Sequence, residues 1–103
     1  EQVKLYQLKP LDYDIAGMIV IEITPDMRWD EYGRADKAFD MMRAKAASMG
    51  ANGVLFQLDD KSQYNGLVGA YYHSKDNSYQ VPVRMTPDKK FIVAQAIVVH
   101  KEQ

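Results

Sequence analysis

Apolar residues take the period of an α-helix in one stretch of this chain, and every other segment has to be arranged around it. Ala35, Ala38, Phe39, Met42, Ala46 and Met49 stand at offsets 0, 3, 4, 7, 11 and 14. On a helix of 3.6 residues per turn these positions form one stripe. Asp36, Lys37, Asp40, Arg43 and Lys45 fall on the other side, with Asp40 and Arg43 spaced i,i+3 for a surface ion pair. Gly50 follows as a natural residue for the left-handed turn that closes a helix. The spacing predicts a helix over residues 35–49, and its alanine-rich second half lets the backbone approach a sheet closely.

The remaining apolar segments read as strands. Residues 3–8 alternate and end at Pro10. Residues 15–23 are β-branched and close on Thr24-Pro25-Asp26, a turn sequence. Strict alternation puts Ile15, Ile19, Ile21 and Ile23 on one face and Ala16, Met18, Val20 and Glu22 on the other. Residues 26–34, with Trp29 and Tyr32, read as a loop or as an irregular helical lead-in. After the helix, residues 53–58 form a strand led by Val54, Phe56 and Leu58. Residues 67–73 and 79–85 are the arms of a hairpin around Lys75-Asp76-Asn77-Ser78. Thr86-Pro87-Asp88-Lys89 suits a type I turn, and residues 91–100 form a last strand with apolar residues on both faces. The expected architecture is a single α+β domain over residues 1–103: one amphipathic helix on a mostly antiparallel sheet of four to five strands.

One helix covers one face of such a sheet. Residues 15–23 and 91–100 carry apolar side chains on both faces, so both strands are expected to be covered on both sides. The second cover would come from the N-terminal segment with Leu5, Tyr6 and Leu8, from the aromatic loop, or from another subunit. A large apolar face in water is unusual for a monomer, which makes a homo-oligomer the expectation.

Composition narrows the partners. A chain of 103 residues has room for one domain, and 47% hydrophobic with 26% charged residues is ordinary for a globular one. Thirteen basic residues face 14 acidic ones, and the only adjacent basic pair is Lys89-Lys90. Nucleic acid is therefore not an expected partner. With no cysteine, disulfides and thiolate chemistry are excluded. The longest apolar run, residues 15–21, is far short of the ~20 residues of a transmembrane helix. The chain begins at Glu1 rather than methionine. A removed secretion or lipoprotein signal would place the domain in the cell envelope; a trimmed boundary would leave it in the cytoplasm.

Residues 44–55, AKAASMGANGVL, resemble the YbjQ-like family of small bacterial proteins, which carry a heavy-metal-binding label. In that family a helix ends in a pattern like A-x-x-x-G-A-N-A-V and runs straight into a strand. Ala46, Gly50, Ala51, Asn52 and Val54 match it, and Gly53 stands where alanine is usual. Envelope lipoproteins such as the Rcs stress sensor have a similar junction, but this chain lacks the cysteines of that sensor. The resemblance implies a compact α+β fold and a ring-like homo-oligomer. The junction also has a local reading: Gly50 reverses the chain, Ala51 packs without bulk, and Asn52-Gly53 tolerates positive φ.

Motifs for chemistry are sparse. A metal site needs several converging ligands, and the only histidines, His73 and His100, lie on different strands. His73 with Asp76 and Asp59 or Asp60 would make a set; the plainer reading is a solvated hairpin and loop. The acids from Asp59 do not follow the calcium-loop pattern. Ser62, Ser74 and Ser78 lack a nucleophile-elbow setting, and Gly66 and Gly69 form no phosphate-binding loop. No cofactor is expected. Tyr64, Tyr71, Tyr72 and Tyr79 gather in the hairpin region among Asn65, His73, Asp76 and Asn77. Tyrosine joins apolar area to one polar tip, which suits interfaces and carbohydrate or peptide contacts. The plainer reading is cross-strand packing. Tyr64, Tyr71, His73 and Tyr79 are the candidate binding or interface residues. The leading expectation is a non-enzymatic self-associating module, and the alternative is a small-ligand or metal-binding domain using this hairpin.

Overall fold

The helical stripe forms α1, Asp36–Ser48, with Ala35 and Met49 as its flanking residues. The computed structural model describes residues 3–24, 35–57, 66–74 and 77–101. Ala35, Ala38, Phe39, Met42 and Ala46 are buried, as the spacing requires, and Met49 packs against them from the edge. Arg43 and Asp40 pair at 2.9 Å on the opposite side. Ala35 offers no side-chain cap, and its N–H instead donates to the His73 carbonyl at 2.7 Å. The first turn is thereby tied to a strand.

The helix ends as Gly50 allows. Its φ is +78°, the Ala51 N–H donates to the Ala46 carbonyl, and the Gly50 N–H donates to the Ala47 carbonyl, both at 3.0 Å. These are the two bonds of a Schellman closure. The next two residues work differently from expectation, because neither Asn52 nor Gly53 has positive φ. Asn52 lays its carboxamide along a strand: the Val99 N–H donates to Oδ1 at 2.7 Å, and Nδ2 donates to the Val99 carbonyl at 3.3 Å. Gly53 is needed for room. A Cβ there would lie 2.8 Å from Tyr6 Cε1 and 3.1 Å from Ile97 Cγ1.

Among the described residues six strands make one sheet: β1 Lys4–Tyr6, β2 Asp12–Glu22, β3 Gly53–Leu55, β4 Leu67–His73, β5 Ser78–Met85 and β6 Lys90–Lys101. The count exceeds the expected four to five because the short segments β1 and β3 pair in parallel and both join the sheet. The other pairings are antiparallel, so the α+β class with a mostly antiparallel sheet stands. β6 is the spine. One edge pairs with β2 from Phe91 to Lys101. The other takes β5 at residues 90–92 and β3 at residues 95–97. Between those two contacts β3 and β5 diverge, and on that edge neither strand pairs with Val93 or Ala94.

The helix packs across β2, β3 and β6. The core between them holds Ile19, Ile21, Val54, Val83, Ile92, Ala94 and Ala96 against Phe39 and Met42. Small residues at 94 and 96 let α1 come close. Phe39, Phe56 and Tyr79 meet with ring centroids 5.4–6.1 Å apart in tilted or edge-on contact, the geometry aromatic quadrupoles favour.

Strict alternation fails along β2, whose pairing with β6 shifts register between Asp12 and Tyr13 and again between Ile15 and Gly17. Ile15 pairs with Ile97 and Gly17 with Ala96, so Ala16 is an extra residue, a β-bulge. Beyond it the faces exchange. Ile15 therefore shares a face with Met18 and Val20 rather than with Ile19 and Ile21, and it points away from the helix. The expected double cover holds for β6, where Ile92 to Ile97 are all buried. It fails for β2, whose outer face is open.

Candidate functional site

Of the candidate residues that are described, Tyr71 and His73 share one face of the β4–β5 hairpin and Tyr79 lies on the other. Tyr71 pairs with Gln80, and Tyr72 with Tyr79. Alternation puts the first pair on the sheet face away from α1 and the second on the helix face. Tyr79 accordingly lies in the Phe39–Phe56 cluster, and Tyr72 is buried, which raises its phenol above the usual value by desolvation. Tyr71 is 68% exposed. His73 stands at the end of β4, exposed, with Nδ1 2.6 Å from Ser78 Oγ. Tyr64, like Trp29, Tyr32, Asp59, Asp60 and Asp76, lies outside the described residues. No group of three metal-ligating side chains occurs among the described residues. The other histidine, His100, sits with Nε2 2.8 Å from Asp14 Oδ2. That hydrogen bond, aided by the charges of Asp14 and Asp12, raises its pKa against a smaller opposing desolvation.

Two surfaces remain. The first is β2. Among the described residues it pairs only with β6, so its other edge has no strand partner. Ile15 and Val20 are each 51% exposed and Met18 is 38% exposed, all on the face turned from α1. An edge strand of 11 residues bearing apolar side chains is a template for another chain unless something blunts it. Here the bulge at Ala16 and the acids at its two ends, Asp12, Asp14 and Glu22, do that in part.

The second is a cleft of about 590 Å³ between the β4–β5 hairpin and the segments that follow β1 and β3, lined by Leu8, Gln57, Leu67, Tyr71, Gln80 and Pro82 among others. None of its described lining residues carries a charge. At its margin the Gln80 N–H donates to Gln7 Oε1 at 2.7 Å, and Gln7 Nε2 donates to the Gln80 carbonyl at 2.9 Å. Both backbone groups of Gln80 thus point away from β4. In the hairpin ladder Tyr71–Gln80 and Gly69–Pro82 are therefore non-hydrogen-bonded pairs. Pro82 can sit there because no ladder donor is asked of it. Reading the sequence finds Tyr71 but misses Gln7, Gln57 and Gln80. A proline two residues after a strand glutamine was the available signal, since it marks which edge lacks a donor.

Comparison with protein-family models, curated proteins and solved structures finds no match to this chain. Among the described residues no helix is long and apolar enough to cross a membrane.

Proposed function

We propose that this domain is a non-enzymatic self-associating module and that β2 is its contact. The observation that carries the reading is the open outer face of Ile15, Met18 and Val20 on a strand whose far edge has no partner among the described residues. Burying half-exposed branched side chains in a like surface contributes about 25 cal/mol per Å² of apolar area removed from water. A second strand along β2 adds backbone hydrogen bonds to that term. The YbjQ-like resemblance of residues 44–55 supports the same reading, since it implies ring-like homo-oligomers. The acids at both ends of β2 are partly offset within the chain, Asp14 by His100 at 2.8 Å and Glu22 by Lys89 at 4.0 Å.

Light scattering after size-exclusion chromatography, from low to high micromolar protein, tests this. A fixed mass above that of one chain is expected, and Ile15→Lys with Val20→Lys should return it to a single chain while the fold persists by circular dichroism. A wild-type mass of one chain across the range would overturn the reading. The other reading, a small-ligand domain on the tyrosine-rich hairpin, keeps Tyr71 and its cleft.

A further inference from the structure

The cleft beside the β4–β5 hairpin already holds a fragment of the chemistry it is shaped to take. Gln7 presents a carboxamide whose oxygen accepts from the Gln80 N–H and whose nitrogen donates to the Gln80 carbonyl, at 2.7 and 2.9 Å. A carboxamide carries the same donor and acceptor as a peptide group. The edge of β5 is therefore occupied as an added strand would occupy it, but by one side chain on a chain segment that is itself only partly buried.

We propose that this cleft binds an extended, uncharged peptide segment of a partner chain, which adds to the edge of β5 by displacing the Gln7 carboxamide. Three observations fix the class of ligand. β5 pairs with β6 only through Val83, Arg84 and Met85, so its earlier residues project from the sheet with one edge unclaimed by any described strand. The walls are apolar side chains and glutamine amides, and no described lining residue offers a countercharge. A charged ligand would lose hydration there without compensation. The volume, about 590 Å³, lies within the range of small-ligand pockets and so has room for a few side chains of such a segment.

The edge also limits the register. Gln80 offers both a donor and an acceptor. Pro82, two residues on and facing the same way, offers its carbonyl alone. A bound strand would thus make its full pair of bonds at Gln80 and a single bond at Pro82, with Tyr71 flanking it on the same sheet face. Strand addition with pockets for alternate side chains is an established way of reading a peptide. The intramolecular carboxamide acts as a built-in competitor, and apparent affinity falls by the fraction of molecules in which it is seated.

The test is an amide-resolved NMR titration of the whole chain with the blocked peptide acetyl-Val-Ala-Val-Ala-amide. Acetyl-Lys-Ala-Lys-Ala-amide and maltose serve as the other arms. The neutral peptide should move the Gln80 amide resonance saturably and slow its hydrogen exchange, and Gln7→Ala should tighten binding several-fold. The lysine peptide should bind at least several-fold more weakly. An unmoved Gln80 amide at millimolar neutral peptide in both proteins would overturn the proposal. So would equal binding of the lysine peptide, a response to maltose alone, or shifts confined to β2. Because the readout is at Gln80, its failure leaves self-association through β2 untouched.

Discussion

Replacing Gly53 with alanine puts one methyl group into the tightest junction of the sheet. The added Cβ would stand 2.8 Å from Tyr6 Cε1 and 3.1 Å from Ile97 Cγ1, where carbon atoms ordinarily approach to about 3.5–4.0 Å. Ile97 is fully buried and cannot move without disturbing its neighbours. The Tyr6 ring, on an edge strand, has more freedom. Overpacking of this kind costs about 1–3 kcal/mol. Against it, losing a glycine reduces the freedom of the unfolded chain and returns about 0.4–1 kcal/mol. The expected net effect of Gly53→Ala is a destabilisation of about 1–2 kcal/mol, measured by urea unfolding. For a domain this size each kcal/mol shifts the melting temperature by about 4–8 °C. A double-mutant cycle with Tyr6→Ala separates the two contacts. With the ring gone only the Ile97 contact remains, and the coupling should come out at about 1 kcal/mol. A Gly53→Ala protein as stable as wild type, or an undiminished penalty in the Tyr6→Ala background, would refute the packing argument.

Gly50→Ala should destabilise by about 1–2 kcal/mol in the same assay, since φ of +78° is strained for any residue with a Cβ although the space around it is open. His100 should titrate above its ordinary value by NMR, and Asp14→Asn should bring it back down. Because the folded-state pKa is the raised one, the stabilisation from this pair is fully present below about pH 6.5 and is lost as pH rises through the folded value. A stability difference between wild type and Asp14→Asn that persists unchanged above that range would contradict the assignment.

The helix was legible because one residue type of constraint decided it: six apolar positions at helical spacing and a glycine to stop it. Gly50 took the conformation read for it. Gly53 did not, since its role depends on Tyr6, 47 residues earlier, and such a contact has no local trace. The strands were found as segments, but their faces in β2 were not, because a single bulge at Ala16 reverses every side chain on one side of it. Among the described tyrosines of the hairpin, Tyr71 parts from Tyr72 and Tyr79 for a related reason. Consecutive tyrosines on one strand point to opposite faces, so Tyr71 reaches the surface while Tyr72 and its cross-strand partner Tyr79 enter the core. The cleft escaped notice because glutamine on a strand edge looks like any solvated residue until its partner's backbone is in place.

β6 is the spine to which β2, β3 and β5 all attach, and it is also the last in sequence of the six described strands. During synthesis, which runs from the N-terminus, the earlier strands leave the ribosome before the strand that joins them exists. Only the β4–β5 hairpin, the β1–β3 pair and α1 have their partners to hand. Their assembly waits for residues 90–101, so sheet closure is set by contacts far apart in sequence, the kind that slows folding. Until then the apolar strand β2 has no strand partner among the described residues. The same strand that is proposed to join two finished copies is thus the one most in need of protection while a single copy is being made.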